Sequence, residues 1–162
     1  MRSVLLVTLL CVFAISCDSD AAYHQYVSIE NGWDINEPVV LEIEQLDSIK
    51  PYNVYITLRN DNRYPYSNLH LITEMQFPQG RTLTDTLEYE MAAPDGVWLG
   101  EGFGDIKESK LWYKEGVRFR ESGTYTFNIH HAVRKNGNIS GDVSLKGITE
   151  IGLRIEEQQE NN

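Results

Sequence analysis

The sequence predicts an all-β domain, an antiparallel β-sandwich of jelly-roll type, lying behind a lipoprotein signal peptide. Three observations predict it. Apolar and polar residues alternate with period two through most of the chain, clusters of turn-forming residues separate the alternating runs, and helical spacing appears nowhere over a comparable length. The chain has 162 residues, about one domain, and no repeat, linker or change of composition divides it.

The N-terminal element is a signal. Met1-Arg2-Ser3 is a short basic start, and Val4 to Ile15 is an apolar run that ends at Ser16-Cys17-Asp18. That run is shorter than the ~20 apolar residues a membrane-spanning helix needs, so residues 1–16 read as a removable signal peptide. Ala14-Ile15-Ser16-Cys17 resembles the cleavage site of bacterial lipoproteins, with Ala14 where leucine is usual. In such signals the cysteine thiol receives a diacylglycerol and the new amine is acylated, palmitate being a common chain. Cys17 is therefore the expected lipidation site, and no cofactor is expected besides this covalent lipid. Several acyl chains hold a protein on a bilayer where one would do so only marginally.

Residues 17–22, the lipidated cysteine followed by Asp18-Ser19-Asp20-Ala21-Ala22, read as a short tether, 23–156 as the sandwich and 157–162 as a disordered tail. Cys11 leaves with the signal and Cys17 is consumed, so the mature domain has no disulfide and a hydrophobic core must hold it. The net charge is −10, and signal removal takes Arg2 and no acid, leaving 13 basic residues against 24 acidic ones. That balance excludes nucleic acid as a partner and disfavours the protein face as the membrane contact. The membrane is expected to be reached through the lipid, with the domain in the cell envelope, facing the periplasm.

The strands follow in order. Val39, Leu41 and Ile43 oppose Glu42 and Glu44; Val54, Ile56 and Leu58 oppose Asn53, Tyr55, Thr57 and Arg59; Leu69, Leu71 and Met75 oppose Asn68, His70 and Glu74. Leu83, Leu87 and Tyr89 oppose Thr84, Thr86 and Glu88; Tyr125, Phe127 and Ile129 oppose Thr126, Asn128 and His130; Ile151, Leu153 and Ile155 oppose Arg154 and Glu156. Asn31-Gly32, Pro78-Gln79-Gly80, Pro94-Asp95-Gly96, Ser122-Gly123 and Asn136-Gly137 supply turns between them. The exception is 96–116, where five glycines predict one long loop carrying Trp98 and Trp112.

No metalloprotease, nucleophile-elbow or phosphate-loop motif is present, so no catalytic residue and no metal site is assigned and the chain is not expected to be an enzyme. His130 and His131 fall on opposite faces of a strand, one exposed and one bonded at the core rim. Glu42 with Glu44, and Glu88 with Glu90, share polar strand faces at the ~6.5–7 Å repeat of a strand; in so acidic a chain they read as solvated surface. Asp95, Glu101 and Asp105 are oxygen ligands that could suit calcium, a reading outweighed by ordinary loop polarity. The aromatic residues are the more informative set. Tyr64-Pro65-Tyr66, Trp98 and Trp112, with Arg59 and Arg134, form the candidate contact surface for a protein partner, or in an alternative reading for a glycan. Asp47-Ser48-Ile49 and Asp85-Thr86-Leu87 resemble the O-glycosylation pattern of Bacteroidetes, which makes Ser48 and Thr86 candidate acceptors.

Taken in order, several motifs resemble the GldH family of gliding-motility lipoproteins in Bacteroidetes. They are Arg59-Asn60, Tyr64-Pro65-Tyr66-Ser67-Asn68-Leu69, Asp85-Thr86-Leu87-Glu88-Tyr89, Gly96-Val97-Trp98-Leu99-Gly100-Glu101-Gly102, Gly123-Thr124-Tyr125-Thr126-Phe127, His131-Ala132-Val133-Arg134 and 147–156. Ala132-Val133 stands where a methionine would precede the arginine. The resemblance spans 17–156 and implies a lipid-anchored, non-catalytic accessory or scaffold of the gliding and secretion machinery, with envelope proteins as partners. Such proteins also occur in non-gliding members, so motility of the host does not follow.

Overall fold

A computed structural model describes residues 21–134 and 143–159; the signal peptide and Cys17 lie outside them. The strands are β1 (Ala21–Ser28), β2 (Trp33–Asp34), β3 (Val39–Ile43), β4 (Tyr52–Asn60), β5 (Asn68–Gln76), β6 (Thr82–Glu90), β7 (Lys107–Val117), β8 (Tyr125–His131), β9 (Ser144–Leu145) and β10 (Ile148–Glu157). Every pairing is antiparallel. The two large sheets run β1-β10-β4-β7 and β3-β8-β5-β6, and β2-β9 forms a small third one.

The pairing has a nested logic. β1 pairs with β10, β3 with β8, β4 with β7 and β5 with β6, so the chain runs out along one arm of a long ribbon and returns along the other. Folding that ribbon over itself adds the β10–β4 and β8–β5 ladders and gives the jelly roll predicted from sequence. All connections consequently gather at two poles.

The alternation settles which face is buried. Val54, Ile56 and Leu58 with Ile151, Leu153 and Ile155 line one inner face; Leu41, Ile43, Leu69, Leu71, Phe127 and Ile129 line the other, all at 1% exposure or less. Each such side chain contributes about 1.5–3 kcal/mol by leaving water. Phe119 closes one end of the core with its ring edge-on to Tyr52 and Tyr125. The two histidines take opposite faces as expected, and His131 is buried with Nε2 3.0 Å from the Trp33 carbonyl, but His130 is half-buried on the other face where an exposed ring was expected.

Three boundaries differ from the sequence reading. Residues 107–116, assigned there to a long loop, belong to β7 (107–117), the longest strand, with Ser109, Leu111 and Tyr113 inward and Lys110 and Trp112 outward. The glycines before it and Gly116 within it hid a clean alternation. The sheet also begins at Ala21, inside the assigned tether, and β10 ends at Glu157, after which Gln158 N–H donates to the Pro51 carbonyl at 2.9 Å.

Candidate functional site

The outward face of the β1-β10-β4-β7 sheet is arranged in cross-strand rows. One row is Ser28, Glu150, Arg59 and Glu108; the next is Tyr26, Gly152, Thr57 and Lys110; the third is His24, Arg154, Tyr55 and Trp112. Arg59 Nε donates to Glu108 at 2.9 Å and Nη1 to Glu150 at 2.6 Å, and its guanidinium lies 4.4 Å from the Tyr26 ring centroid. The bonds to Glu108 and Glu150 hold the guanidinium above the ordinary arginine value. In the next row, Lys110 lies 4.1 Å over Tyr55 and bonds both oxygens of Glu156, which also accepts from Arg154. Desolvation opposes the ionised Glu156 carboxylate, but those two cations more than offset it and leave its pKa lowered.

Beside this face, the segment between β6 and β7 is two small hairpins. In the first, Ala93 N–H donates to the Val97 carbonyl and Leu99 N–H to the Met91 carbonyl, pinning the hairpin on the buried Met91. In the second, Glu101 and Glu108 exchange N–H···O bonds of 2.8 and 2.7 Å, and Lys107 Nζ donates to the Gly102 carbonyl. Gly102 has φ 143°, and a Cβ there would lie 2.6 Å from the Ile106 carbonyl oxygen, so the second turn requires glycine. The backbone is tied down while the side chains are not covered. Val97, Leu99 and Ile106 are exposed and Phe103 is fully so.

An open groove of about 870 Å³ runs where the second hairpin leaves β7, lined by Arg59, Glu90, Leu99, Phe103, Glu108 and Leu111 among others. Trp98 belongs to the first hairpin, bridged to Ala92. Its Nε1–H donates to Asn62 Oδ1 at 3.2 Å, Asn62 Nδ2 donates to Asp105 Oδ1 at 2.8 Å, and its ring lies 6.1 Å from that of Tyr64. Tyr64 is buried, donates to the Asn68 carbonyl and has Tyr66 edge-on at 5.9 Å. Burial, then the neighbouring Tyr66, pushes the Tyr64 hydroxyl well above the ordinary phenol value.

The predicted contact residues thus divide. Tyr64, Tyr66 and Trp98 form one aromatic corner, with Tyr64 a packing residue; Arg59 belongs to the groove beside it. Trp112 lies on the same sheet face, 47% exposed, its ring edge-on to Tyr55 at 5.2 Å. Arg134 is exposed, three residues past β8. Thr86 is exposed on β6, next to an Asp85 engaged by Tyr113 and Lys114, and Ser48 is half-buried before β4. Glu42, Glu44, Glu88 and Glu90 are exposed. Among the described residues no group of three or more His, Cys, Asp or Glu is placed to hold a metal ion; Asp95 accepts from Val97 N–H and Asp105 from Asn62.

Sequence reasoning missed Glu108, Glu150, Leu99 and Phe103. The signal for Glu108 was the alternation hidden in 107–114; for Glu150 it was its register with Arg59, which only the fold supplies.

With the geometry in place, comparison with known proteins is informative. Residues 21–155 match the family described as GldH lipoprotein. A protein of Christiangramia forsetii named "Gliding motility lipoprotein GldH homolog" is 54% identical over 141 residues, 87% of this chain and 86% of its own. The "Gliding motility lipoprotein GldH" of Flavobacterium johnsoniae is 46% identical over 147 residues, 91% of each chain. A chain in a solved structure of infectious bursal disease virus, Gx strain, aligns with 90% of this chain and 34% of its own at 15% identity, with a TM-score of 0.33.

Proposed function

This chain belongs to the GldH lipoprotein family, and from that premise we propose that it serves the gliding and secretion machinery as a membrane-anchored scaffold, acting by binding and not by catalysis. Cys17 carries the anchor, a diacylglycerol thioether with an N-acyl chain, and the domain faces the periplasm. The observation that supports a binding role is the division of labour around the groove. The cations beside it are held in ion pairs, Arg59 with Glu108 and Glu150, and Lys110 with Glu156, while the apolar side chains of the hairpins are left uncovered. Groups held in ion pairs are poor acids, bases or nucleophiles; fixed backbone carrying exposed apolar side chains is a pattern found at protein contacts.

Affinity capture of the lipidated protein from membranes, compared with a Cys17→Ala form, tests this. Components of the gliding or secretion machinery should enrich with the acylated protein. Recovery of none of them, or an equal set with unacylated protein, would overturn it.

One observation favours a second reading. Trp112 and Tyr55 present aromatic surface on an outer sheet face, where a sugar ring could stack. Titration with peptidoglycan or polysaccharide fragments should then change tryptophan fluorescence, and the change should vanish in Trp112→Phe. Thr86 and Ser48 are proposed O-glycan acceptors; intact mass of the protein from its own host, against Thr86→Val and Ser48→Ala, checks them.

A further inference from the structure

Resting on the lipoprotein reading above, we infer that the paired hairpins 91–106 are a docking element directed away from the membrane, and that they take a protein partner with an apolar pocket rimmed by basic residues. The jelly roll fixes the direction. β1 starts at Ala21, which pairs with Glu156, itself opposite Asn53 on β4; the hairpins lead into Lys107, opposite Asn60 at the other end of β4. Seven residues of strand separate the two poles, about 23 Å at ~3.3 Å each. Cys17 precedes Ala21 by four residues, a reach of at most about 14 Å. The tether pole is held at the bilayer and the hairpins project from the opposite one.

Charge selects the occupant. From Asp95 to Ile106 the chain carries Asp95, Glu101 and Asp105 and no basic residue. The groove adds Glu90, while its own cations are engaged, Arg59 by Glu108 and Glu150 and Lys110 by Glu156, and Lys107 Nζ donates to the Gly102 carbonyl. The exposed Leu99, Phe103 and Ile106 share the groove lining, with Val97 exposed on the first hairpin, and the acids of the hairpins and groove outnumber the cations beside them. An anionic bilayer and a second copy of the same surface would both meet like charge. A partner with basic residues around an apolar pocket meets opposite charge at the rim and receives Phe103 at the centre, the usual anatomy of a protein contact.

The mature chain has no thiol besides Cys17, so Phe103→Cys and Glu115→Cys, the latter at the tether pole, accept single labels. Intact mass first establishes acylation at Cys17; its absence would remove the lipoprotein reading itself. With acylation present, a polarity-sensitive dye at position 103 in phosphatidylethanolamine–phosphatidylglycerol vesicles should report water and resist lipid-borne quenchers, whereas one at 115 should be quenched. In cells, a benzophenone at position 103 should give one discrete adduct with a different protein, reduced at least fivefold by Glu101→Lys with Asp105→Lys and unchanged by Glu115→Lys. Quenching at 103, an adduct of twice the chain's own mass, an adduct indifferent to the charge reversal, or no adduct would each overturn the inference while leaving the anchor intact.

Discussion

Arg59 Nη1 donates to the Glu150 carboxylate at 2.6 Å from directly opposite it in the β4–β10 ladder. Since Glu108 occupies the facing position on β7, one arginine separates two acids on a sheet face. Arg59→Met should lower stability by about 1 kcal/mol, the upper part of the range for partly exposed ion pairs, because it leaves two carboxylates without their shared cation. Adding Glu150→Gln should recover part of that loss. Urea midpoints of the four forms in this cycle measure it, and an Arg59→Met midpoint equal to that of the parent would show that the row contributes nothing.

Acid should unfold the domain through a few identifiable carboxylates. The pKa of Asp61 is lowered by its hydrogen bonds from Arg63 against a smaller desolvation. That of Asp85, for which desolvation is the largest single influence, is still lowered because Lys114 and Tyr113 together outweigh it; Glu156 behaves alike with Lys110 and Arg154. A group depressed in the folded state adds stability that is fully present above its ordinary pKa, 3.8 for Asp and 4.5 for Glu, and is lost as pH falls through the folded value. These groups should contribute a constant amount above about pH 5 and a decreasing one below it. Lys114→Met should weaken the Asp85 part of that acid limb, seen as a shallower fall in melting temperature between pH 5 and 3.

Gly147 should be among the least replaceable residues. Its φ is +83°, and a Cβ there would lie 2.0 Å from the Tyr64 backbone nitrogen. Left-handed backbone costs about 1–2 kcal/mol for other residues, and backbone overlap adds about 1–3 kcal/mol. Gly147→Ala should therefore cost about 3 kcal/mol and displace the Tyr64–Trp98 corner. Gly96, with φ +84° and nothing within 4 Å, provides the control: Gly96→Ala should cost only the conformational part, about 1 kcal/mol. Thermal melts of the two variants distinguish these outcomes.

The contrast between those glycines also shows what a sequence conveys here. Alternation is a local property, so most strands and their buried faces were legible, including the opposed faces of His130 and His131. β7 was not, because five glycines between 96 and 116 made the whole stretch resemble a loop although only its first part is one. The site was legible in its residue types, Arg59, Trp98 and Trp112, but not in its composition. Glu108 and Glu150 join Arg59 from 49 and 91 residues away, a distance only strand register can close. Nor does sequence reveal that Tyr64 is packed inside while Phe103, an equally aromatic residue, stands wholly in water.

Trp33 and Trp112 make the last point measurable. Trp33 is 2% exposed, donates through Nε1 to the Glu37 carbonyl at 2.9 Å and packs edge-on against His131 at 5.2 Å, joining the β2–β9 ladder to the main core. Trp112 is 47% exposed and shares only a sheet face with Tyr55. Trp33→Ala should thus cost about 3–5 kcal/mol, as truncations of buried aromatic residues do, and Trp112→Ala less than about 1 kcal/mol. Acrylamide should quench Trp112 readily and Trp33 hardly at all, so the quenchable fraction should fall in Trp112→Phe. A Trp112→Ala variant as unstable as Trp33→Ala would mean that Trp112 is structural, and its candidacy as a contact residue would end there.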